Sequence, residues 1–329
     1  KALLGLAGLL LLSLCGNLAS TALTILVFKE SRSADAIPQR PVVLSDSKAA
    51  APVSTSLPTS LNDTPVSVPG LKGCAVAPSD TEACWELTDP AMTVIPDRFL
   101  QDNTNLTGTL KVGPAVQTIS ARAFFGTKLT GLDMSEATSL VDIGAWAFVA
   151  TGLEGTLIIP AKLTKIGPSA FDSAKLTGLD LSKATSLVEI GKGAFFGTGL
   201  EGTLAIPAKL TTIGTSAFES AKLTGLDLST ATSLVEIGDS AFYGTGLEGT
   251  LVIPAKLTTI GTSAFEGAKL TGLDLSTATS LLEIGELAFS STDLEGTLVI
   301  PAKLTTIGPS AFDNTKLTHL DLSKAASLV

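Results

Sequence analysis

One short motif, repeated along most of the chain, limits the possible folds more than any other feature. A Leu-Thr step recurs every 47 residues, at Leu129, Leu176, Leu223, Leu270 and Leu317. Each block divides again, at Leu153, Leu200, Leu247 and Leu294, so that coils of 24 and 23 residues alternate. Repeats of this length predict a solenoid, because each unit is too small to bury its own apolar face and covers it with its neighbour.

Each coil contains one strand-like run and one phenylalanine that recurs at the same position of the coil. Leu179-Asp180-Leu181 and Leu204-Ala205-Ile206 alternate between inward and outward positions, which is the period of a strand. The segments GTSAF and GKGAF leave room only for a turn or a short helix. One Phe per coil predicts a ladder of rings at the strand spacing of about 4.8 Å. Its members are Phe124, Phe148, Phe171, Phe195, Phe218, Phe242, Phe265, Phe289 and Phe312.

The order of a leucine strand, an "IG" and an "AF", as in LVEIGKGAF and LTTIGTSAF, resembles the BspA-like leucine-rich repeats. The resemblance covers ten coils from Leu106 to the end of the chain, and serines such as Ser182 stand where commoner leucine-rich repeats have an Asn ladder. It implies a repeat solenoid of the α/β leucine-rich type, with a curved parallel β-sheet on one face and turns and short helices on the other. It also implies surface attachment and recognition rather than catalysis.

The N-terminal segment, residues 1–28, predicts a location outside the cytosol for the repeats. Residues 2–28 carry no charge, and as a helix they would span about 40 Å against roughly 30 Å of hydrocarbon. We therefore expect an N-terminal hydrophobic helix that anchors the protein in the membrane as a single pass. A cleaved signal peptide, cut between Ala19 and Ala22, is the alternative and would make the protein secreted. The apolar run continues to Phe28, which favours the anchor.

Two segments separate this helix from the regular coils. Residues 29–73 are rich in Ser, Pro and Ala and predict a flexible stalk, with a loop docked on the solenoid as the alternative. Residues 74–105 are expected to cap the open end of the solenoid, which residues 106–329 form with a C-terminus truncated in mid-coil. A Cys74–Cys84 disulfide would close the cap in an oxidising compartment, whereas two reduced buried thiols are the other interpretation. Asn62 and Asn105 are glycosylation sequons if the host is eukaryotic.

Composition and motifs argue against several classes of function. A net charge of −9 with a single His is unlike a nucleic-acid binder, which carries a basic stripe. The sequence has no nucleophile elbow, phosphate loop or zinc spacing, so we expect no enzyme activity, no cofactor and no metal site. Aspartates on every second strand would lie roughly 10 Å apart, too far for two of them to share one Ca²⁺.

The outward positions of the strands are the candidate ligand-binding residues. On every second strand the central outward residue is an aspartate, namely Asp133, Asp180, Asp227, Asp274 and Asp321. Lys175 and Glu154, with their equivalents in other coils, are expected to form weak surface ladders. The leading hypothesis is a surface or extracellular protein that binds a protein or glycan along the sheet face. Plain solubility of that face, a structural spacer without a ligand, and a catalytic domain beyond Val329 are the alternatives.

Overall fold

The computed structural model of the chain describes residues 69–74 and 83–329. The predicted anchor at residues 2–28, nearly all of the predicted stalk and the sequon at Asn62 lie outside these residues. Within the described part, stacked coils form a solenoid of parallel strands, as the repeat predicts. The same part contains no helix long and apolar enough to cross a bilayer.

Two kinds of strand alternate along the chain, one long and one of two residues. The described part begins with β1 (Leu71–Gly73) and β2 (Cys84–Leu87). The later long strands are β4 (Thr107–Val112), β6 (Lys128–Asp133), β8 (Glu154–Ile158), β10 (Lys175–Asp180), β12 (Glu201–Ala205), β14 (Lys222–Asp227), β16 (Glu248–Val252), β18 (Lys269–Asp274), β20 (Glu295–Val299) and β22 (Lys316–Asp321). The short strands are β3 (Val94–Ile95), β5 (Thr118–Ile119), β7 (Asp142–Ile143), β9 (Lys165–Ile166), β11 (Glu189–Ile190), β13 (Thr212–Ile213), β15 (Glu236–Ile237), β17 (Thr259–Ile260), β19 (Glu283–Ile284) and β21 (Thr306–Ile307).

The short strands build one uninterrupted sheet. All ten, from β3 to β21, pair in parallel, and each isoleucine lies opposite the isoleucine of the next coil. Ile190 and Ile213 are fully buried. In eight of the ten short strands, from β7 to β21, a glycine follows the isoleucine, and close approach requires it, because a Cβ on Gly214 would lie 2.6 Å from the Lys192 backbone nitrogen. This face is therefore a closely hydrogen-bonded spine.

The long strands do not form the single sheet that the sequence predicts. They pair two by two, as β8 with β10, β12 with β14, β16 with β18 and β20 with β22, while β6 joins β4, β2 and β1. Each pair contains a bulge: Leu176 lies opposite Gly155 but Gly178 lies opposite Thr156, so Thr177 has no partner. Bulges increase twist and end regular pairing. We call this face, the long strands β4 to β22, the split face.

The burial of the leucine side chains also differs between the two strands of each pair. Leu157, Leu204, Leu251 and Leu298, in the first strand of each pair, are buried. The matching leucines of the second strand, Leu179, Leu226 and Leu273, are only partly buried although they pack against the core. The sequence predicts that all of them point inward to the same extent. The burial of these leucines therefore alternates between the two strands of a pair.

The prediction of short helices is wrong for residues 69–74 and 83–329, where the connecting segments are turns. In the coil from Gly214 to Ala221, alternate amides bond in different directions. The Ala217 N–H donates to the Gly214 carbonyl three residues back, whereas the Phe218 N–H donates to the Ala241 carbonyl of the next coil at 2.8 Å. Ser216 and Ser220 take φ values of 54° and 61°. A helix would need every amide for its own bonds, so inter-coil bonding excludes it.

The predicted phenylalanine ladder is confirmed and runs through the core. Successive rings from Phe124 to Phe312 are stacked, with centroids 5.2–5.6 Å apart. Phe99 meets the first ring edge-on at 6.3 Å. Eight of these rings, all except Phe312, are fully buried. Stacking of aromatic rings adds to the burial of their area, which makes this ladder a main source of cohesion between coils.

The N-terminal strands cover the first coils. β1 pairs antiparallel with β2, and β2 pairs in parallel with β4. Cys74 and Cys84 are bonded as a disulfide, with Cα atoms 5.3 Å apart. The Trp85 indole N–H donates to the Thr107 carbonyl at 2.8 Å, and Leu71 and Leu87 enter the core.

Candidate binding clefts

The split face opens into clefts at boundaries between strand pairs. These strand-pair clefts lie between β6 and β8, between β10 and β12, and between β18 and β20. Their volumes are about 770, 590 and 580 Å³ respectively. These volumes lie in the range of small-ligand sites. The boundary between β14 and β16 has the same residue pattern, with Asp227, Val252 and Lys256.

Each cleft combines apolar and charged side chains. Between β10 and β12 the lining includes the apolar residues Leu179, Ala205 and Pro207 and the charged residues Asp180 and Lys209. The cleft thus offers a carboxylate acceptor and an ammonium donor beside apolar side chains. The corresponding residues of the first cleft are Leu132, Ile158, Pro160, Asp133 and Lys162, and those of the last are Leu273, Val299, Pro301, Asp274 and Lys303.

Among the lining positions that differ between the clefts, two change in size or charge. The apolar residue of the second strand is Ile158 in the first cleft, Ala205 in the next and Val299 in the last, so the size of this side chain changes. A further lining side chain is Lys183 in the first cleft, Thr230 in the next and Lys324 in the last. Two of the three formed clefts therefore carry two lysines for one aspartate, although the chain as a whole is acidic.

The aspartates also hold the strand ends in place. The Ser182 backbone N–H donates to Asp180 Oδ1 at 2.8 Å, and the same bond recurs at Asp133, Asp227, Asp274 and Asp321. The Ser182 hydroxyl and this N–H hold the pKa of Asp180 below its ordinary value. The equivalent serines lower the pKa of Asp227, Asp274 and Asp321 in the same way. Each aspartate is therefore a turn-forming residue whose carboxylate is not buried.

The structure places the predicted residues near partners that the sequence did not suggest. Asp133, Asp180 and Asp274 line clefts, Asp227 lies at the corresponding boundary, and Asp321 ends the last strand. The lysines were not predicted. Their sequence signal is the Pro-Ala-Lys step that follows every second long strand, at Lys162, Lys209, Lys256 and Lys303. Asp180 and Lys209 are 29 positions apart in sequence and line one cleft only because the coils stack.

Other polar groups of the described residues do not assemble a reactive centre. No three His, Cys, Asp or Glu side chains of this part come together as a metal site. His319 lies opposite Thr297 in the last strand pair, with its ring Nδ1 3.1 Å from the Thr318 hydroxyl. Asn105 is exposed on the turn before β4, so its sequon is accessible.

The expected Lys and Glu ladders are in register without forming close ion pairs. Lys175 lies opposite Glu154 in the strand pairing. The ion pairs within 4.0 Å in the described part are instead Lys111–Glu86, Lys165–Glu189 and Lys316–Asp293. On the spine, burial raises the pKa of the Asp142 carboxyl, opposed by Lys165 on the adjacent strand.

Several solved structures are similar to this chain. The pneumococcal vaccine antigen PcpA is 17% identical, over 78% of this chain and 80% of its own, with a TM-score of 0.44. A leucine-rich repeat protein of Bacteroides ovatus is 18% identical, over 80% and 81%, with a TM-score of 0.45. A leucine-rich cell surface protein of Faecalibacterium prausnitzii is 18% identical, over 79% and 95%, with a TM-score of 0.34. We infer nothing about function from these structures.

The sequence family gives the firmer assignment. No curated protein matches the chain significantly in sequence. The family described as BspA type leucine rich repeat region matches in six copies, over residues 93–224 and 211–328. These ranges overlap and cover more than half of the chain, and they contain every strand from β3 to β22. The protein belongs to the family of BspA type leucine-rich repeats.

Proposed function

We propose that this protein is a non-catalytic recognition protein that binds a protein or glycan partner along the strand-pair clefts of the split face. The observation that supports the proposal is the recurrence of one cleft chemistry. A carboxylate, an ammonium group and apolar side chains recur in the clefts between β6 and β8, between β10 and β12, and between β18 and β20. A partner that repeats its own chemistry along an extended chain would engage several clefts at once. Weak single contacts then add to a useful avidity.

A location outside the cytosol, either at the cell surface or after secretion, is part of the proposal. The Cys74–Cys84 disulfide supports it, because structural disulfides persist in oxidising compartments. The uncharged run of residues 2–28 supports it independently, as an anchor or a cleaved signal. The family membership is consistent with a repeat surface that serves interaction, since leucine-rich solenoids expose extended binding faces.

The test removes cleft charge without disturbing the turn. Asp→Ala would delete the acceptor of a backbone N–H, so lost binding would be confounded with a damaged strand end. Asn keeps an acceptor oxygen and removes only the charge. The triple variant Asp180→Asn, Asp227→Asn, Asp274→Asn is therefore compared with Glu201→Gln, Glu248→Gln, Glu295→Gln. The control removes the same charge, at the same spacing, from exposed residues outside the clefts.

Both variants are incubated with an array of purified polysaccharides and secreted proteins, and bound protein is quantified. We expect the aspartate variant to lose at least about tenfold in binding to a partner of the wild-type protein, with the glutamate control unchanged. Single aspartate variants should lose less, because the remaining clefts still engage. Equal binding by the triple variant and wild type would refute the choice of the clefts.

The alternative is a structural spacer, and one observation favours it. Each outward aspartate of the long strands accepts a backbone N–H at a turn, so the recurrence of these aspartates is explained without a ligand. A spacer predicts no saturable binding by the wild-type protein to any member of the array. A saturable partner that is lost in the Asp180→Asn triple variant supports recognition instead.

A further inference from the structure

One position of each turn has a left-handed backbone, and its side chain changes along the solenoid. In five coils this residue is serine, at Ser169, Ser216, Ser240, Ser263 and Ser310, with φ between 51° and 55°. In the first three coils it is Arg98, Arg122 and Trp146, with φ of 55°, 56° and 57°. Left-handed conformations disfavour large side chains, so these three residues occupy the position without a conformational advantage.

These residues form a continuous column, which we call the Arg-Trp column. The Arg98 N–H donates to the Ala121 carbonyl, which directly precedes Arg122, at 3.0 Å. The Arg122 N–H donates in turn to the Ala145 carbonyl, next to Trp146, at 2.9 Å. The three side chains therefore leave the backbone from adjacent coils, and the Arg122 guanidinium carbon lies 4.8 Å from the centre of the Trp146 ring.

No carboxylate among the described residues forms an ion pair within 4.0 Å with an arginine of this column. Arg98 and Arg122 are the only arginines among residues 69–74 and 83–329, and both lie here. Across that part of the chain, the carboxylates within 4.0 Å of a cation pair with lysines and not with either arginine. Asp97, the neighbour of Arg98, accepts the Ala121 N–H. Two like charges placed one coil apart repel each other, and a bound anion would relieve that repulsion.

We propose that the Arg-Trp column is a binding site for an acidic glycan, one whose sugar rings carry carboxylate or sulfate groups. The planar guanidinium of Arg98, which is exposed, matches the paired oxygens of such an anion. Trp146 is 41% exposed, so the part of its ring that Arg122 does not cover is available to the C–H surface of a sugar ring. Arg122 comes from the coil between those of Arg98 and Trp146, and its guanidinium lies over the indole.

The site is separate from the strand-pair clefts. The column lies in the turns that follow the short strands of the spine, whereas the clefts lie at the ends of the long strands of the split face. Its ligand is selected by negative charge, and the proposed function of the clefts neither requires nor excludes it. Failure of one proposal therefore leaves the other untouched.

The repeat itself supplies the variants for a test. Serine occupies the same left-handed position in five other coils, so Arg98→Ser with Arg122→Ser, and separately Trp146→Ser, should fold as those coils do. The control is Lys222→Ser with Lys269→Ser, which removes the same charge from exposed residues at the starts of two long strands. Circular dichroism verifies that all three variants are folded.

Binding of the full chain to immobilised heparin, hyaluronan and dextran is then measured by biolayer interferometry at about 0.1 M salt. We expect saturable binding to heparin, hyaluronan or both, and none to neutral dextran; the two acids separate sulfate from carboxylate recognition. The double arginine variant should lose at least about a hundredfold in affinity, from two charge-assisted contacts of about tenfold each. The tryptophan variant should lose about five- to tenfold.

Three results would overturn the proposal. The first is an absence of binding to either acidic polymer by the wild-type protein. The second is retained affinity in the double arginine variant. The third is an equal loss in the Lys222→Ser, Lys269→Ser control, which would mean that the polymers respond to net charge and not to this column.

Discussion

Replacing Phe218 by leucine tests whether the aromatic ladder holds neighbouring coils together. Phe218 is fully buried between Phe195 and Phe242, whose ring centroids lie 5.3 and 5.4 Å away, with the rings nearly parallel. Leucine fills much of the same space but has no ring face. The substitution therefore removes two stacked contacts at once and leaves a small cavity.

The expected loss can be worked out from these contacts. An aromatic pair adds about 0.5–1.5 kcal/mol beyond the burial of its area, so two pairs account for about 1–3 kcal/mol. The cavity left by the smaller side chain adds about 1 kcal/mol. Phe218→Leu should thus lower the free energy of unfolding by about 2–4 kcal/mol. Phe196→Leu, the same change at a half-buried residue outside the ladder, should cost about 1 kcal/mol or less.

Urea denaturation followed by circular dichroism measures the total loss, and hydrogen exchange shows which coils lose protection. A double-mutant cycle then isolates the stacking. Phe195→Leu with Phe218→Leu should cost about 1 kcal/mol less than the sum of the singles, because both remove the same pair contact. Phe171→Leu with Phe218→Leu should be additive, since Phe195 separates the two rings. Equal losses for Phe218→Leu and Phe196→Leu, or no coupling between adjacent rings, would refute this reasoning.

Two further predictions concern the spine and the turn aspartates. Gly214→Ala would place a methyl group 2.6 Å from the Lys192 backbone nitrogen and should cost about 2 kcal/mol or more by urea denaturation, whereas Gly267→Ala, with open space around it, should cost about 1 kcal/mol from its left-handed φ of 75°. A similar cost for the two would contradict the close approach of the coils. Stability should fall on acidification, because a lowered folded pKa contributes stability above the unfolded value of about 3.9 that is lost as the pH drops through the folded one. The effect should be small, since the carboxylates are solvated, and it should flatten in the triple asparagine variant of Asp180, Asp227 and Asp274 when urea midpoints are compared between about pH 6 and pH 3.

The features that could be predicted from the sequence are those that follow from one coil stacked on an equivalent coil. The Phe ladder is such a feature, because an identical position in each coil brings identical side chains together. The solenoid follows for the same reason, since a short unit with one apolar face needs a neighbour. Neither prediction depends on backbone detail.

The split of the long strands depends on backbone detail and was not predicted. Gly155 takes a φ of 74° and leaves Thr177 without a partner, but glycines occur in both long strands of a pair. The sequence does not show which of these glycines takes a left-handed backbone conformation. The helices were overpredicted because GTSAF suits a tight turn of either kind, and the choice depends on amides that bond to the next coil.

The candidate site was predicted only in part for the same reason. The alternation along Leu179-Asp180-Leu181 predicts that the aspartates face outward, which needs knowledge of a single strand. The presence of Lys209 and Asp180 in one cleft requires a boundary where the sheet is interrupted, and that boundary is set by how coils pair. Predicting the Arg-Trp column also requires knowledge of how the coils stack, since Arg98 and Arg122 lie in different coils.

The unequal bonding of the two faces has a mechanical consequence. On the spine, every coil is hydrogen-bonded to the next, and the stacked rings behind it run without a break. On the split face from β8 to β22, hydrogen bonds join the long strands only within pairs. Tension along the stack would therefore act alternately on hydrogen-bonded strand pairs and on boundaries without such bonds. Stretching would widen the boundary between Asp180 and Ala205 before it broke either strand pair. The elastic element of this protein is therefore two coils long, and its compliant joint is the place where a partner would sit.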